Sequence, residues 1–461
     1  MRDVLVSLLL LGLLPACFRR PYIGLLVFSW LAYMRLQDLT WGFARGIRWS
    51  YYVAILMLVG YMLKPKERWF LVEVRSLIMV GLVLVIGMGL IASSPTAEIF
   101  TRYIEYIKIV GIALFTTSVV KNREHLRILM WVISLSLGFY GVKTGLWVVV
   151  TGGGKVLQGP GGMLADNNDF AMAMAMSVPL LFQIGMTEKR EIIRRAFLFS
   201  VPMTVIAVGA TYSRGGFLSV GLAIGILVWR SRNRVVGILI GVLIAIVAVL
   251  SMPDSYKERL ATLRNPQEEG SAAGRLRAWG VATNMAKDNP FFGVGFGQFR
   301  QNWLKYCADP TPQEKVGKAV IVAHSSYFQI WAECGTPALI LYLSMLGLSF
   351  LSIWRTRRMA KTRYFSSWIL SYATMFEASL AAFVVGSAFL NRAHFDLLYH
   401  MVAVILMFEH IAKQEMTNKV VYPEKTGARG VLQAAPAAGF GPQPAFARQG
   451  FRDPALRQGG F

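Results

Sequence analysis

Charge is scarce in this chain: Asp, Glu, Lys and Arg make up 16% of its 461 residues, and the acids are the smaller share, 25 against 48 bases. A soluble domain carries about a quarter charged residues, so this composition excludes an ordinary globular surface. Cysteine is rarer still. The three present, Cys17, Cys307 and Cys334, exclude a disulfide framework and have no metal-ligand spacing. With only five histidines and no compact carboxylate pair on the outward segments, the sequence offers no metal centre, and no cofactor is expected. No internal repeat at a fixed period is visible.

Hydrophobic residues are abundant, 55% of the chain, and they recur along most of its length instead of gathering in one core. A hydrocarbon layer of about 30 Å needs roughly 20 apolar residues as helix, and backbone groups in lipid must be satisfied within the segment. The fold class that follows is all-α: a polytopic membrane protein with about 12 transmembrane helices and one large periplasmic loop domain. Apolar segments fall near 4–18, 21–34, 50–63, 76–93, 98–120, 126–150, 168–186, 196–212, 215–230, 235–252, 326–354, 366–390 and 398–412. The expected divisions are an N-terminal bundle over 1–252, a loop with short helices over 253–323, C-terminal spans over 324–415 and a disordered cytoplasmic tail over 416–461. Leu14-Pro15-Ala16-Cys17 resembles a lipoprotein cleavage site, but another apolar segment follows Arg19-Arg20, so 4–18 is kept as a span.

A formal net charge of +23 would suggest nucleic acid in a soluble protein. Here the bases sit in short loops between spans, a topological pattern, and no nucleic-acid partner is expected; membrane lipid is. Loops with Lys121/Arg123/Arg127, Lys189/Arg190/Arg194/Arg195, Arg230/Arg232/Arg234 and Arg355/Arg357/Arg358/Lys361/Arg363 read as cytoplasmic. Their alternates near 94–97, 151–167, 211–215 and 391–397 face outward, as does 253–323. The side of the N-terminus stays open.

Placing polar residues on this topology isolates a few. Arg214, in Tyr212-Ser213-Arg214-Gly215-Gly216, is a cation in a very short outward loop, which either snorkels to the interface or binds an anionic group. Arg102, Glu105 and Lys108 recur at spacings of three on the outer part of their helix, where Glu105 either neutralises both cations or leaves them for a ligand. Lys143 lies about 10 Å deep at 1.5 Å per residue, where a charge is by default a functional candidate. Gly274 to Trp279 opens an amphipathic helix ending near Lys287. Asn289 to Gly297 then reads as a close-packing turn, not a phosphate loop, since the strand and helix such a loop needs are missing. His324, where the outer loop enters a span, is either an interfacial hydrogen-bonder or a base. Glu333, on the opposite helical face, is structural or paired to another helix.

In order along the chain, Asp166-x-Asn168-x-x-Ala171, Ser213-Arg214-Gly215-Gly216, Gly274-Arg275-Leu276-x-x-Trp279, Asn289-Pro290-x-x-Gly293-Val294-Gly295-x-Gly297 and His324-x-x-Tyr327-x-Gln329-x-x-Ala332-Glu333-x-Gly335 resemble the O-antigen ligase and polymerase superfamily. The N-terminal stretch from Arg19-Arg20-Pro21 through Ala44 resembles O-glycosylation ligases found beside exosortase systems. The resemblance implies transfer of a glycan from undecaprenyl diphosphate to a hydroxyl acceptor, for ligases a sugar of lipid A-core, on the periplasmic face of a bacterial inner membrane. It assigns Arg214 and Arg275 to the diphosphate and His324 to the acceptor hydroxyl. Arg277, Lys143, Lys108 and Arg102 are further candidates for the diphosphate, with Asp166, Asn168 and Tyr327 in support. Asn167 and Ser325 depart from the family pattern, which often has Pro and Asn there.

A lipid diphosphate is a good leaving group whose developing charge guanidinium forks can meet, and a neutral imidazole can take the acceptor's proton. Metal-free, inverting single displacement fits these residue types. A repeat-unit polymerase or a ligase acting on protein hydroxyls would use the same motifs, and a transporter of lipid-linked glycans is the non-enzymatic alternative, with Glu377 in mid-span as its strongest feature. The topology is directly testable: in a Cys-free background, a cysteine placed in 253–323 should react with a membrane-impermeant reagent from the periplasm. Labelling from the cytosolic side alone would overturn it.

Overall fold

The computed structural model describes residues 2–64, 71–162, 164–231, 234–235, 238, 270–317, 320–362 and 366–417. Most of the span expected at 235–252, the first part of the 253–323 loop and the tail beyond 417 lie outside the described residues. The structure is 80% helix and 2% strand, so the all-α expectation stands. The helices are α1 (Arg2–Arg19), α2 (Pro21–Met34), α3 (Trp49–Met62), α4 (Val74–Ala92), α5 (Ala97–Val119), α6 (Arg123–Val150), α7 (Asn167–Thr187), α8 (Glu191–Ala210), α9 (Arg214–Arg230), α10 (Gly270–Asp288), α11 (Phe299–Tyr306), α12 (Pro312–Lys315), α13 (Ser326–Thr362), α14 (Ser367–Ser387) and α15 (Asp396–Thr417). Among the described residues, α4, α6, α7, α8, α13 and α14 are long and apolar enough to cross a membrane, and α2 and α3 are shorter apolar helices.

Several helix starts are set by side chains that accept an otherwise orphaned backbone N–H. Thr96 accepts from Ile99, Asn122 from His125, Asp166 from Asn168 and Ser213 from Gly216. The antiparallel pair β1 (Gln158–Gly161) and β2 (Leu164–Asp166) leads directly into α7. This hairpin lies in a segment that reads from sequence as plain loop, because its glycines carry no strand pattern.

Helix α7 is the centre of the bundle: its Ala171 to Met176 run is fully buried, and it packs on α6, α8, α9 and α14. Small residues allow this closeness. A Cβ on Gly216 would lie 2.4 Å from Cβ of Ala171, so α9 approaches α7 at a distance that only glycine permits.

One end of the bundle gathers the turn after α2, the hairpin and helices α10 to α12. Asp3 Oδ1 accepts from Gly42 N–H at 2.9 Å and Ala44 N–H at 3.2 Å, and the Arg35 guanidinium lies against Gly162. The start of α1 therefore shares this end. Gln298 Nε2 donates to Ser93 Oγ at 2.8 Å, bringing the α10–α12 unit to it as well.

The opposite end holds the basic loops and two buried charge clusters. Glu377 accepts from Arg230 Nε at 3.0 Å and Trp354 Nε1 at 2.9 Å, and also from Arg357. Arg75 pairs with Glu409 and with Glu73 at 3.0 Å, and donates to Ser352 Oγ at 2.7 Å. Glu377 is thus tied to two arginines and does not stand alone in mid-span.

Helix α13 is broken at Gly335, whose φ of 83° and ψ of 176° no other residue adopts readily. The break is where the 289–297 turn docks. Val294 N–H donates to Ala332 O at 2.9 Å, Gly295 N–H to Glu333 O at 3.0 Å, and Thr336 N–H to Pro290 O at 2.8 Å. The Glu333 carboxylate accepts from Phe299 N–H at 3.3 Å. An added Cβ at Gly335 would lie 2.3 Å from Phe291 O. Gly335→Ala should therefore cost at least about 1–3 kcal/mol and lower the thermal midpoint in detergent. An unchanged midpoint would contradict this account of the docking.

Candidate active site

The residues singled out from sequence separate into those that converge and those that do not. Helix α10 does the sorting. Trp279 Nε1 donates to Ala323 O at 3.0 Å, and the Trp279 ring stacks on Phe328 at 5.1 Å. Four residues earlier on the same helical face stands Arg275, which acts electrostatically on His324. Arg277 is about 200° from Arg275 at 100° per residue and points elsewhere. Its Nε and Nη2 bind Glu314 at 3.0 and 2.8 Å, and it also donates to Asp309 O. The residue of this pair that faces His324 is Arg275.

His324 is half-buried and held at φ 47°, an uncommon conformation for a side chain other than glycine or asparagine. The carbonyl before it is fixed by Trp279 and the two serines after it are buried. Burial, then the Arg275 guanidinium, holds its imidazole below the ordinary range, while Asp166 pulls the other way. Both partners therefore lie within electrostatic reach. This favours the neutral imidazole, the form that can accept a proton.

Asp166 caps α7, accepting from Asn168 N–H at 2.8 Å and Asn168 Nδ2 at 3.1 Å. Asn167 Nδ2 donates to Thr211 O at 2.9 Å, which seats the 211–213 turn on the start of α7. Arg214, half-buried, is the first residue of α9. A Cβ on its neighbour Gly215 would lie 3.2 Å from Cβ of Phe389. Tyr327 has a supporting part: its hydroxyl donates to Val384 O at 2.8 Å and accepts from Ser387 Oγ at 3.0 Å, tying α13 to α14.

The outlying cations stand apart. Arg102 pairs with Glu98 at 2.6 Å and Lys108 with Glu105 at 2.7 Å, all four exposed. Glu105 therefore neutralises Lys108 only, because an i,i+4 partner was available to Arg102 one turn earlier. Lys143 is exposed and, among the described residues, has no ion-pair partner.

Sequence reasoning missed a charged pair. Arg392, in the short connection between α14 and α15, makes a two-pronged pair with Asp169 in the first turn of α7. The signal was available: a cation in a short outward connection, the feature that singles out Arg214, and an acid just inside an apolar helix. Among the described residues, no three His, Cys, Asp or Glu side chains gather as metal ligands would.

Residues 198–343 match the family model described as O-antigen ligase. That segment is similar to the family. The matched segment runs from α8 into α13 and holds Arg214, Arg275, Arg277, His324 and Tyr327. Residues 1–177 match a family of unknown function (DUF5935), which takes in Asp166, Asn168, Lys143, Lys108 and Arg102. No curated protein sequence matches the chain. The O-antigen ligase family and the apolar helices together make this a multi-pass membrane protein with a glycan-ligating, glycosyl-transfer function.

The Arg277–Glu314 pair has its own consequence. The Glu314 side chain is 5% exposed, so removing Arg277 strands a buried carboxylate. Arg277→Ala and Glu314→Ala should each destabilise the α10–α12 unit by about 1–3 kcal/mol, and the double variant by less than the sum. Thermal melts of the three would show it; additive or negligible effects would contradict the clasp.

Proposed function

We propose that this protein transfers a glycan from undecaprenyl diphosphate to a hydroxyl of lipid A-core, at the periplasmic face of a bacterial inner membrane that it crosses about twelve times. The observation that carries the reading is His324: a half-buried imidazole held by backbone contacts, kept neutral by burial and Arg275, and within electrostatic reach of Asp166. The O-antigen ligase match over the same residues supports it. Orientation is supported by charge. The end opposite His324 carries Lys121, Arg123, Arg127, Lys189, Arg190, Arg194, Arg195, Arg355 and Arg358 in its loops and the adjoining helix ends, as cytoplasmic ends do.

The chemistry follows from the residue types. The acceptor oxygen attacks the anomeric carbon as the bond to the diphosphate oxygen breaks, and the bonding pair leaves on the diphosphate. The acceptor proton passes to the His324 imidazole. Arg214 and Arg275 meet the charge that develops on the leaving group, so neither a general acid nor a divalent cation is required. One displacement inverts the anomeric centre.

His324→Ala should bind lipid-linked donor and lose transfer by roughly 10²–10⁴-fold. Because His324 must be neutral to act and its pKa is lowered, the wild-type rate should be flat above pH 7. It should fall only as pH drops through a value below the ordinary imidazole figure of about 6.5. Transfer should persist in excess EDTA. A His324→Ala rate near wild type removes the base; loss of activity in EDTA, restored by Mg²⁺ or Mn²⁺, removes the metal-free mechanism.

A further inference from the structure

Arg392 stands outside both family-matched segments, yet its position relative to His324 is fixed. Its backbone N–H donates to Ser326 Oγ at 2.9 Å, and the same hydroxyl donates to Leu390 O at 2.8 Å. Ala393 N–H donates to Gln329 Oε1 at 3.4 Å. The Arg392 connection is therefore stapled to the first turns of α13, two residues beyond His324. On its other side Phe389 packs against Gly215, next to Arg214.

The guanidinium is used on one edge only. Nε and Nη2 go to the two oxygens of Asp169, and among the described residues nothing pairs with Nη1. The Asp169 side chain is 4% exposed and that of Arg392 41%. A pair that served packing alone would bury both partners. Here the carboxylate is sealed in and fixes the plane of an arginine that is itself partly exposed. The pair is neutral overall, so what it offers an anion is aimed hydrogen bonds more than net charge.

We propose that Arg392 is a further phosphate-contacting arginine of the site, presenting Nη1 to the anionic head of the lipid donor, and that Asp169 is the residue that positions it. This rests on the donor reading above. It predicts that lysine cannot replace Arg392: an ammonium can satisfy Asp169, but it cannot hold that bond and a forward-facing one in the same fixed plane.

The test is binding of undecaprenyl diphosphate to the full chain in nanodiscs, with melting temperature read on every variant. Arg392→Lys should keep its melting temperature and bind about 10- to 100-fold more weakly, the cost of one charged hydrogen bond. Arg392→Met with Asp169→Asn, which leaves no charge to bury, should fold and bind as weakly. Where the lysine variant fails to fold, the affinity of this double variant decides the matter. Asp169→Asn alone should weaken binding less, since Arg392 remains but is no longer aimed. Wild-type affinity in the folded lysine or double variant, with Arg214→Ala defective, would make Arg392 a packing residue and leave the donor reading intact. Failure of the wild type itself to bind would overturn the donor reading and this inference with it.

Discussion

A charge inside a bundle of apolar helices has to be paired before the helices close over it, and three such pairings set this architecture. Removing one partner of a buried pair typically costs about 3–5 kcal/mol, more than most single contacts can offset. Asp169 of α7 and Arg392 beyond α14 join the most buried helix to the C-terminal ones. Glu377, with Arg230 and Arg357, ties α9, α13 and α14 at the opposite end. Arg75, with Glu409 and Ser352, links α4 to α15 and α13. With both ends of the bundle pinned, the start of α7, the start of α9 and the entrance to α13 meet in one place.

The α10–α12 unit is joined to this frame by backbone as much as by side chains. The break at Gly335 releases the carbonyls of Ala332 and Glu333 from the helical ladder, and the N–H groups of Val294 and Gly295 take them. Trp279 fixes the carbonyl before His324 from the other direction. His324 and Arg275, carried on different segments, thereby hold a constant relation, which is what the proposed transfer between two substrates demands of a site.

Much of this was legible in the sequence because lipid imposes simple rules. Apolar runs predict α2, α4, α6, α7 and α8 within a few residues. The Arg275 and Trp279 spacing on one helix already contains the distinction from Arg277, but only the contact of Trp279 with Ala323 shows which face is inward. The hairpin at 158–166 was not legible, since Gln158-Gly159-Pro160-Gly161 has no strand character. Arg392 and Asp169 each carry a local signal, but their pairing across 223 residues was not legible. Local rules also misassigned Arg102, which found Glu98 before Glu105. Pairing across long sequence separations is decided by packing, and packing leaves no periodic trace.

The central claim is that the donor's diphosphate lies at the end of the bundle that carries Arg214, Arg275 and His324. A cryo-electron microscopy structure of the full chain with an intact lipid-linked donor tests it most directly. The account predicts phosphate density within hydrogen-bonding distance of the Arg214 and Arg275 guanidinium groups, with the anomeric carbon open to an acceptor oxygen beside His324. Density at the opposite end, against Arg230 and Arg357, or a donor whose anomeric carbon faces away from His324, would contradict it.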